Sequence, residues 1–481
     1  MAAATLTQIA ILGAGFAGAM TAAALTALLP EGLSLTLIDT SGADKTDLFY
    51  GTVTSPATYN FLLAMGIREP DVLPHTNTAF SLGTHYESWG LEKRSWTQAF
   101  HQPLPLFENV HFQHYMTRLA QSYPQLASLQ PYIMSVHAAR RGVFAHPPES
   151  SDTPLSDVEY GYQFLPQQWR NLFLQKVKNS RTRYIQADIV NVKRKNGGID
   201  ALELSGGETF TADFFIDCTG QNSNLTSEAK PRSPSRRLSA IETLTPAQTL
   251  GPACRKLSGQ ASGWVAQTPL QDGVHELTIG QSSESDGGVE AITGRLETPW
   301  SSNVLTLGHG AALLEPLTPA PIITLQRDIE RLAELIPLTS NMDVEAREYN
   351  RRFNNDYHHA AIFQRAFFSA EEKAPQTPYW IDASRDAVSD TLQNKISQFE
   401  SRGICVQYDL EPFVELDWLQ LHYGMGRQPA RYDPLADRLN EKQLIQTLQN
   451  MRLANEALAA KMPPHQRYMS GLLNYLRKKN V

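Results

Sequence analysis

The stretch Gln8-Ile9-Ala10-Ile11-Leu12-Gly13-Ala14-Gly15-Phe16-Ala17-Gly18 decides how the rest of the chain is read. Gln8 to Leu12 is a short, mostly apolar run of the kind that forms a buried parallel strand. Gly13, Gly15 and Gly18 form a G-x-G-x-x-G, and Phe16 to Leu29 is Ala- and Leu-rich and favours a helix. A strand, this glycine pattern and a helix in that order make a dinucleotide-binding turn. Gly13 permits the tight turn, Gly15 admits a pyrophosphate to the backbone at the helix N-terminus, and Gly18 allows helix and strand to pack closely. Phe16 and Ala17 lie between them and belong to the same cofactor-binding loop. Gly32 turns the chain into a second strand, Ser34 to Ile38, which ends on Asp39, 21 residues after Gly18, where an acid can bind adenosine ribose hydroxyls.

Further along, Arg183 to Val192, Ala201 to Leu204 and Thr209 to Ala212 read as strands joined by the turns Asn196-Gly197-Gly198 and Gly206-Gly207. They lead into Ala212-Asp213-Phe214-Phe215-Ile216-Asp217-Cys218-Thr219-Gly220, a buried strand ending on a glycine. Asn303 to Leu307 repeats the pattern, followed by Gly308 and a helix from about Ile322 to Leu335. These two late strands favour FAD over NAD, because flavoproteins of the monooxygenase type complete the flavin site with such segments. A single α/β core is thus assembled from separated pieces. The Pro/Ser-rich stretch Ala145 to Ser151 reads as a loop. After Pro337 the sequence turns amphipathic and helical, from Val344 to about Ser369 and from Glu441 to Leu458.

Bulk properties exclude several classes. A 481-residue chain with 42% hydrophobic and 19% charged residues is long enough for two or three domains' worth of core and ordinary for a globular protein. A net charge of -7 argues against nucleic acid held by phosphate contacts. Cys218, Cys254 and Cys405 are scattered, so neither a disulfide framework nor a metal site is expected, and a reduced cytoplasmic setting follows. The charge-free run from Ala2 to Pro30 lacks a basic leader and is broken by glycines, so a buried strand and helix are expected rather than a signal peptide or membrane span. His358 and His359 are adjacent on a helix, a spacing unsuited to shared metal ligation.

A series of motifs in order then resembles the flavin-dependent tryptophan halogenase family over about residues 7 to 465. Gly51-Thr52-Val53-Thr54-Ser55-Pro56 is similar to its flavin loop, G-E-S/A-T-x-P. Thr78 to Gly83 with Trp89-Gly90 is similar to T-F-K-L-G, Tyr160 to Phe164 to A-Y-H-F, and Phe215 to Gly220 to F-I-D-C-T/S-G. Gly263 to Gln271 stands on G-W-x-W-x-I-P-L-Q, and Leu313 to Leu317 on F-L-E-P-L. Glu348-Tyr349-Asn350, Thr377 to Trp380, Asp417-Trp418-Leu419, Gly424, Gly426 and Pro434 to Asp437 follow in family order.

The resemblance implies an FAD-binding βαβ, Rossmann-like core of the flavin monooxygenase/halogenase type. Residues 1–335 form this discontinuous core, with substrate-cavity segments inserted at about 85–160 and 235–295, and 336–481 form a mostly helical C-terminal module over the cavity. It implies reduced FAD from a separate flavin reductase, and O2. The absence of a second G-x-G-x-x-G for NAD(P)H agrees. Cofactor contacts are expected from Gly13, Gly15, Phe16, Ala17, Gly18, Asp39, Gly51, Thr52, Gly220, Gly308, His309 and Ile322, and substrate contacts from Trp264, Pro269, Trp418 and Tyr423. His309 stands where many flavoproteins have Asp, and reads either as a ribityl or phosphate contact or as a structural histidine. Glu315 reads as structural or catalytic. Phe367, Phe368, Tyr379, Trp380, Phe413, Trp418 and Tyr423 read as pocket or core.

Three departures bear on chemistry. Ser81 occupies the position of the lysine that holds the oxidised halogen, and Thr318 that of the glutamate. Pro319 and Pro321 remove N–H groups from the halide-binding run. In addition, Ala266 and Thr268 replace the second tryptophan and the isoleucine of the signature. The expectation is an FAD-dependent monooxygenase-type oxidoreductase acting on an apolar or aromatic substrate, free or presented by a carrying partner. The alternatives are a halogenase with a rearranged site, in which another lysine such as Lys93 serves, or a non-catalytic flavin-binding partner protein. No membrane association is expected, and a homodimer is compatible with the sequence.

Overall fold

The computed structural model describes residues 5–30, 32–40, 45–90, 93–100, 102–148, 153–195, 197–221, 223, 225, 232–233, 235–281, 287–369, 375–386 and 389–479. Glu149, Ser150 and Ser151 of the Pro/Ser-rich loop and Asn196 of the first glycine turn lie outside them.

The opening stretch folds as strand β1 (Gln8–Leu12), helix α1 (Phe16–Leu28) and strand β2 (Ser34–Asp39). Ile9 to Leu12 and the first ten residues of α1 are almost all fully buried, which is the reason the run carries no charge. β1 is central in a six-stranded sheet, with Phe214–Asp217 on one side and β2 on the other, all parallel. Val304–Thr306 continues the sheet beyond Phe214–Asp217, and Arg183–Gln186 pairs with β2. The separated segments therefore do converge on one sheet, as their apolar runs ending at Gly220 and Gly308 foreshadow. The single strand expected over Arg183 to Val192 is two. Arg183–Gln186 belongs to the main sheet, whereas Ile189–Lys195 pairs with Gly198–Leu204 in a separate three-stranded sheet. The chain breaks at Ala187, whose N–H donates to the carbonyl of Asp39.

A second sheet has seven strands. It combines Gly83–Trp89 and Arg94–Ala99 with Arg237–Pro246, Arg255–Gln260, Gly263–Leu270, Gly273–Gln281 and Val289–Ile292. Two stretches more than 130 residues apart are joined by the parallel pairing of Arg255–Ser258 with Thr84–Glu87. The C-terminal part is helical: Asp343–Arg365, Pro378–Asp386, Asp390–Arg402, Glu415–Gly424, Glu441–Lys461 and His465–Lys479. The helix Ala320–Glu334 follows the last strand of the flavin-type sheet. Among the described residues no helix is long and apolar enough to cross a membrane.

Candidate active site

The glycine turn has the geometry its sequence requires. Gly13 has φ +88°, and a Cβ there would lie 2.8 Å from the carbonyl oxygen of Cys218. A Cβ on Gly18 would lie 1.9 Å from the carbonyl oxygen of Gly13, so no side chain fits between helix and turn. Gly15 is the N-cap of α1, with φ -63° and ψ -173°. Asp39 stands at the end of β2, where its carboxylate accepts from the hydroxyl of Tyr184. Burial, with the Asp39 carboxylate second, pushes that hydroxyl up to about 12.

Between this end and the flavin loop lies a 3-10 turn, Lys45–Tyr50. Asp47 Oδ2 accepts the N–H of Phe16 at 2.9 Å. The ring of Tyr50 packs 5.0 Å from Phe16 and stacks on His309 at 3.8 Å. The Tyr50 hydroxyl accepts the His309 N–H at 3.2 Å. Thr46 Oγ1 lies 3.1 Å from His309 Nδ1. Gly308 seats against both elements, since a Cβ on it would meet Ala17 at 2.6 Å and the Tyr50 hydroxyl at 2.7 Å. His309 is buried and its pKa is pushed down to about 3, first by burial and then by Arg232. Its Nε2 has no hydrogen-bond partner among the described residues.

For FAD, the dinucleotide cofactor that this framework implies, the fit is good at the two ends. The α1 N-terminus, Asp39 and the partnerless His309 Nε2 suit a pyrophosphate, a ribose and a polar ribityl contact. The Lys45–Tyr50 turn lies between these groups, bonded to Phe16 through Asp47 and to His309 through Thr46 and Tyr50. Sequence reasoning named Phe16 and His309 but missed Asp47 and Tyr50. The available signal was a bulky aromatic next to Gly51, the first residue of the flavin loop.

Gly51 has φ +74°, and its would-be Cβ approaches Pro316 at 2.8 Å, so the flavin loop lies against the segment Leu314–Pro319. Thr52 pairs its hydroxyl with that of Thr268 at 2.6 Å. Gly220 ends its strand with φ +90°. Next to these loops is a cavity of about 200 Å3, floored by Ser55, Pro56, Thr318 and Pro319 and walled by Tyr86, Phe100, Ile323, Phe363 and Phe413. Phe363 and Phe413 stack at 3.9 Å. Gln98, Glu159, Arg327 and Asp417 add polar groups to its lining. Arg327 is engaged by Asp356 at 2.9 Å and by the carbonyl of Leu410 at 2.7 Å. Asp417 caps the helix Glu415–Gly424 through the Val414 N–H at 2.9 Å, and burial pushes its pKa up to about 7.

Ser81 and Thr318 stand at the two positions that the family resemblance assigns to halogen chemistry, and both hydroxyls are engaged. Ser81 is fully buried, its Oγ 3.3 Å from both the N–H and the carbonyl oxygen of Gly83. Thr318 Oγ1 accepts the N–H of Ala320 at 3.2 Å and Gln364 Nε2 at 3.3 Å. Pro319 and Pro321 have no N–H, and those of Ile322 and Ile323 both reach the carbonyl of Pro319 at 3.1 Å. The first turn of the helix Ala320–Glu334 therefore has every N–H occupied. Arg255, fully buried, brings a cation nearby, but its guanidinium is consumed by the carbonyls of Pro316 (3.0 Å) and Leu317 (2.7 Å) and by Thr84 Oγ1 (3.3 Å). It fixes the turn. Lys93 is exposed on the strand hairpin, outside the cavity lining.

Glu315 ties three elements together. Its Oε1 accepts from Trp264 Nε1 at 2.5 Å and from the Tyr379 hydroxyl, and its Oε2 pairs with Arg236 at 3.2 Å. Of the proposed substrate contacts, Trp264 belongs to this anchor, and Pro269 is buried against Gly251. Trp418 donates to Glu411 at 2.9 Å behind Phe363, and Tyr423 packs edge-on against Phe399. None of the four lines the cavity, and of the aromatic set only Phe413 does. Replacing Glu315 by Leu removes the acceptor that Trp264, Tyr379 and Arg236 share. The expected loss is about 3–5 kcal/mol, read as a lower unfolding midpoint, with Glu315→Gln costing roughly half.

The tryptophan halogenase family model matches residues 8–286 and 274–441. The chain is 20% identical to tryptophan 7-halogenase RebH of Lentzea aerocolonigenes, over 88% of this chain and 86% of that protein. It is also 20% identical to tryptophan 6-halogenase SttH of Streptomyces toxytricini, over 89% and 92%. Among solved structures, BrvH, a flavin-dependent halogenase from Brevundimonas sp. BAL3, superposes with a TM-score of 0.87 at 22% identity, covering 97% of this chain and 99% of that one. Xcc4156, a flavin-dependent halogenase from Xanthomonas campestris, gives 0.86 at 24% identity over 97% and 98%.

Proposed function

The chain belongs to the tryptophan halogenase family, whose flavin-dependent enzymes use reduced FAD from a separate reductase together with O2, and within that family we propose that it oxygenates a small aromatic substrate instead of halogenating it. One observation carries the reading: the apolar cavity sits against the flavin loop, yet in the turn Pro319–Ile323 beneath it every N–H is either engaged or replaced by proline. Reduced FAD, when bound, supplies the two electrons that reduce O2, so that one oxygen enters a C–H bond of the substrate and the other leaves as water.

The chain's own residues account for binding, orientation and proton handling. Phe363 and Phe413 give a flat apolar wall against which a ring stacks, and Pro56 and Pro319 exclude water from the face nearest the flavin loop. Ser55, 8% exposed and with no partner for its Oγ among the described residues, suits a hydroxyl or ring N–H of the substrate. Asp417, once ionised, makes the opposite end acidic, because Arg327 there is already paired. The substrate class is therefore a neutral or basic aromatic rather than an aromatic carboxylate. Asp417 can hold a protonated amine once it is ionised.

The experiment supplies FAD, a flavin reductase, NADH and O2, with tryptamine and indole-3-acetate as paired probes. The expected result is a product heavier by one oxygen from tryptamine, none from the acid, and only slow flavin reduction by NADH when the reductase is left out. Tryptamine affinity should rise between pH 6 and pH 8, as Asp417 loses its proton near 7. Oxygen consumption yielding only peroxide with every probe would instead favour the non-catalytic reading.

A further inference from the structure

We propose that the turn Lys45–Tyr50 is a built-in plug that FAD must displace, with Asp47 standing in for the cofactor's pyrophosphate and Tyr50 for its middle span. The inference rests on the family's cofactor and concerns how this chain admits it.

The N–H groups at the start of a helix have no partners within the helix, and they attract anions. In this chain that role is already filled from inside: the carboxylate of Asp47 accepts the N–H of Phe16, the first residue of α1, at 2.9 Å. The same turn reaches the other wall of the path. Thr46 contacts His309 Nδ1 at 3.1 Å, and the Tyr50 ring lies on the imidazole at 3.8 Å with an interplanar angle of 13°. Tyr50 also accepts the His309 N–H and touches Phe16, so it spans from α1 to the Gly308 turn. Phe16, Tyr50 and His309 are 0%, 3% and 2% exposed and pack on one another in one closed stack.

A dinucleotide lying on α1 would bring its two phosphate charges against the Asp47 carboxylate, and both cannot hold the same N–H. Binding is therefore possible only from the fraction of molecules in which the turn has moved away. The apparent dissociation constant is the intrinsic one divided by that fraction. Anything that weakens the plug without touching the glycine turn raises the fraction and tightens binding.

The test uses the full chain and FAD alone, with quenching of flavin fluorescence as the readout, so no catalysis is needed. Asp47→Asn removes the charge while keeping the shape, and Tyr50→Ala removes the stacked ring. Asp47→Asn is expected to bind FAD about ten-fold more tightly than wild type, the scale of a partly buried carboxylate at a helix N-terminus, and Tyr50→Ala is expected to bind it more tightly as well. In stopped flow, the wild-type association rate should level off at high FAD, limited by opening, while that of the variants keeps rising. Asp47→Asn combined with Gly15→Val should not bind, which places the gain at α1. Unchanged or weaker binding in both folded variants, or a wild-type rate linear in FAD throughout, overturns the plug. If neither wild type nor variants bind FAD, the plug is overturned as the obstacle, and the loss then lies in the cofactor site itself.

Discussion

Given FAD, a flavin reductase, NADH, O2 and chloride or bromide, the protein is expected to leave indoles, phenols and pyrroles unhalogenated beyond a single turnover. Three independent features converge on this outcome. A buried halide without donors is costly by several kcal/mol. The turn that would bind it has its N–H groups taken by Thr318 and by the carbonyl of Pro319, or replaced by proline. Ser81 has no cationic nitrogen, and Arg255, the cation brought closest to the turn, spends its donors on Pro316, Leu317 and Thr84. Thr318 lacks the carboxylate of the family pattern. Ser81→Lys alone is expected not to restore halogenation. Ser81 is fully buried on the strand Ala79–Ser81, paired with Gly161–Gln163, so a lysine there buries a charge and lowers stability. Mass spectrometry decides the matter. Halogenated product at multiple turnovers, unaffected by a hypohalous-acid scavenger and lost when FAD binding is abolished, would falsify the reading.

Gly15→Val is expected to abolish FAD binding while leaving the fold intact. The two effects separate because of where Gly15 sits. Its φ of -63° and ψ of -173° are open to any residue, so valine adds no backbone strain. Yet it is the N-cap of α1, where the pyrophosphate approaches the backbone, and an isopropyl group occupies that space. Gly18→Val differs. Its Cβ would collide with the carbonyl of Gly13, and the helix itself must shift. Titration calorimetry with unchanged circular dichroism checks the first. Gly15→Val binding as tightly as wild type would place the cofactor elsewhere.

The sequence by itself determined the sheet and the cofactor framework. Strand, glycine turn, helix and terminal acid are local features, each specified by residues within about 30 positions, and Gly13, Gly18 and Asp39 stand where that pattern puts them. Phe214–Asp217 and Val304–Thr306 were legible for the same reason, as apolar runs ending on glycines. The ordered motifs likewise carried family membership. Tertiary structure alone decided what fills the site. That Asp47 reaches Phe16, that Tyr50 stacks on His309 259 positions away, and that Trp264 serves Glu315 instead of lining the cavity are long-range pairings. An aromatic or a carboxylate reads the same in sequence whether it faces a substrate, a cofactor path or the core. Its role is fixed by which partner the fold brings within hydrogen-bond or stacking distance, and that depends on chain segments hundreds of residues apart.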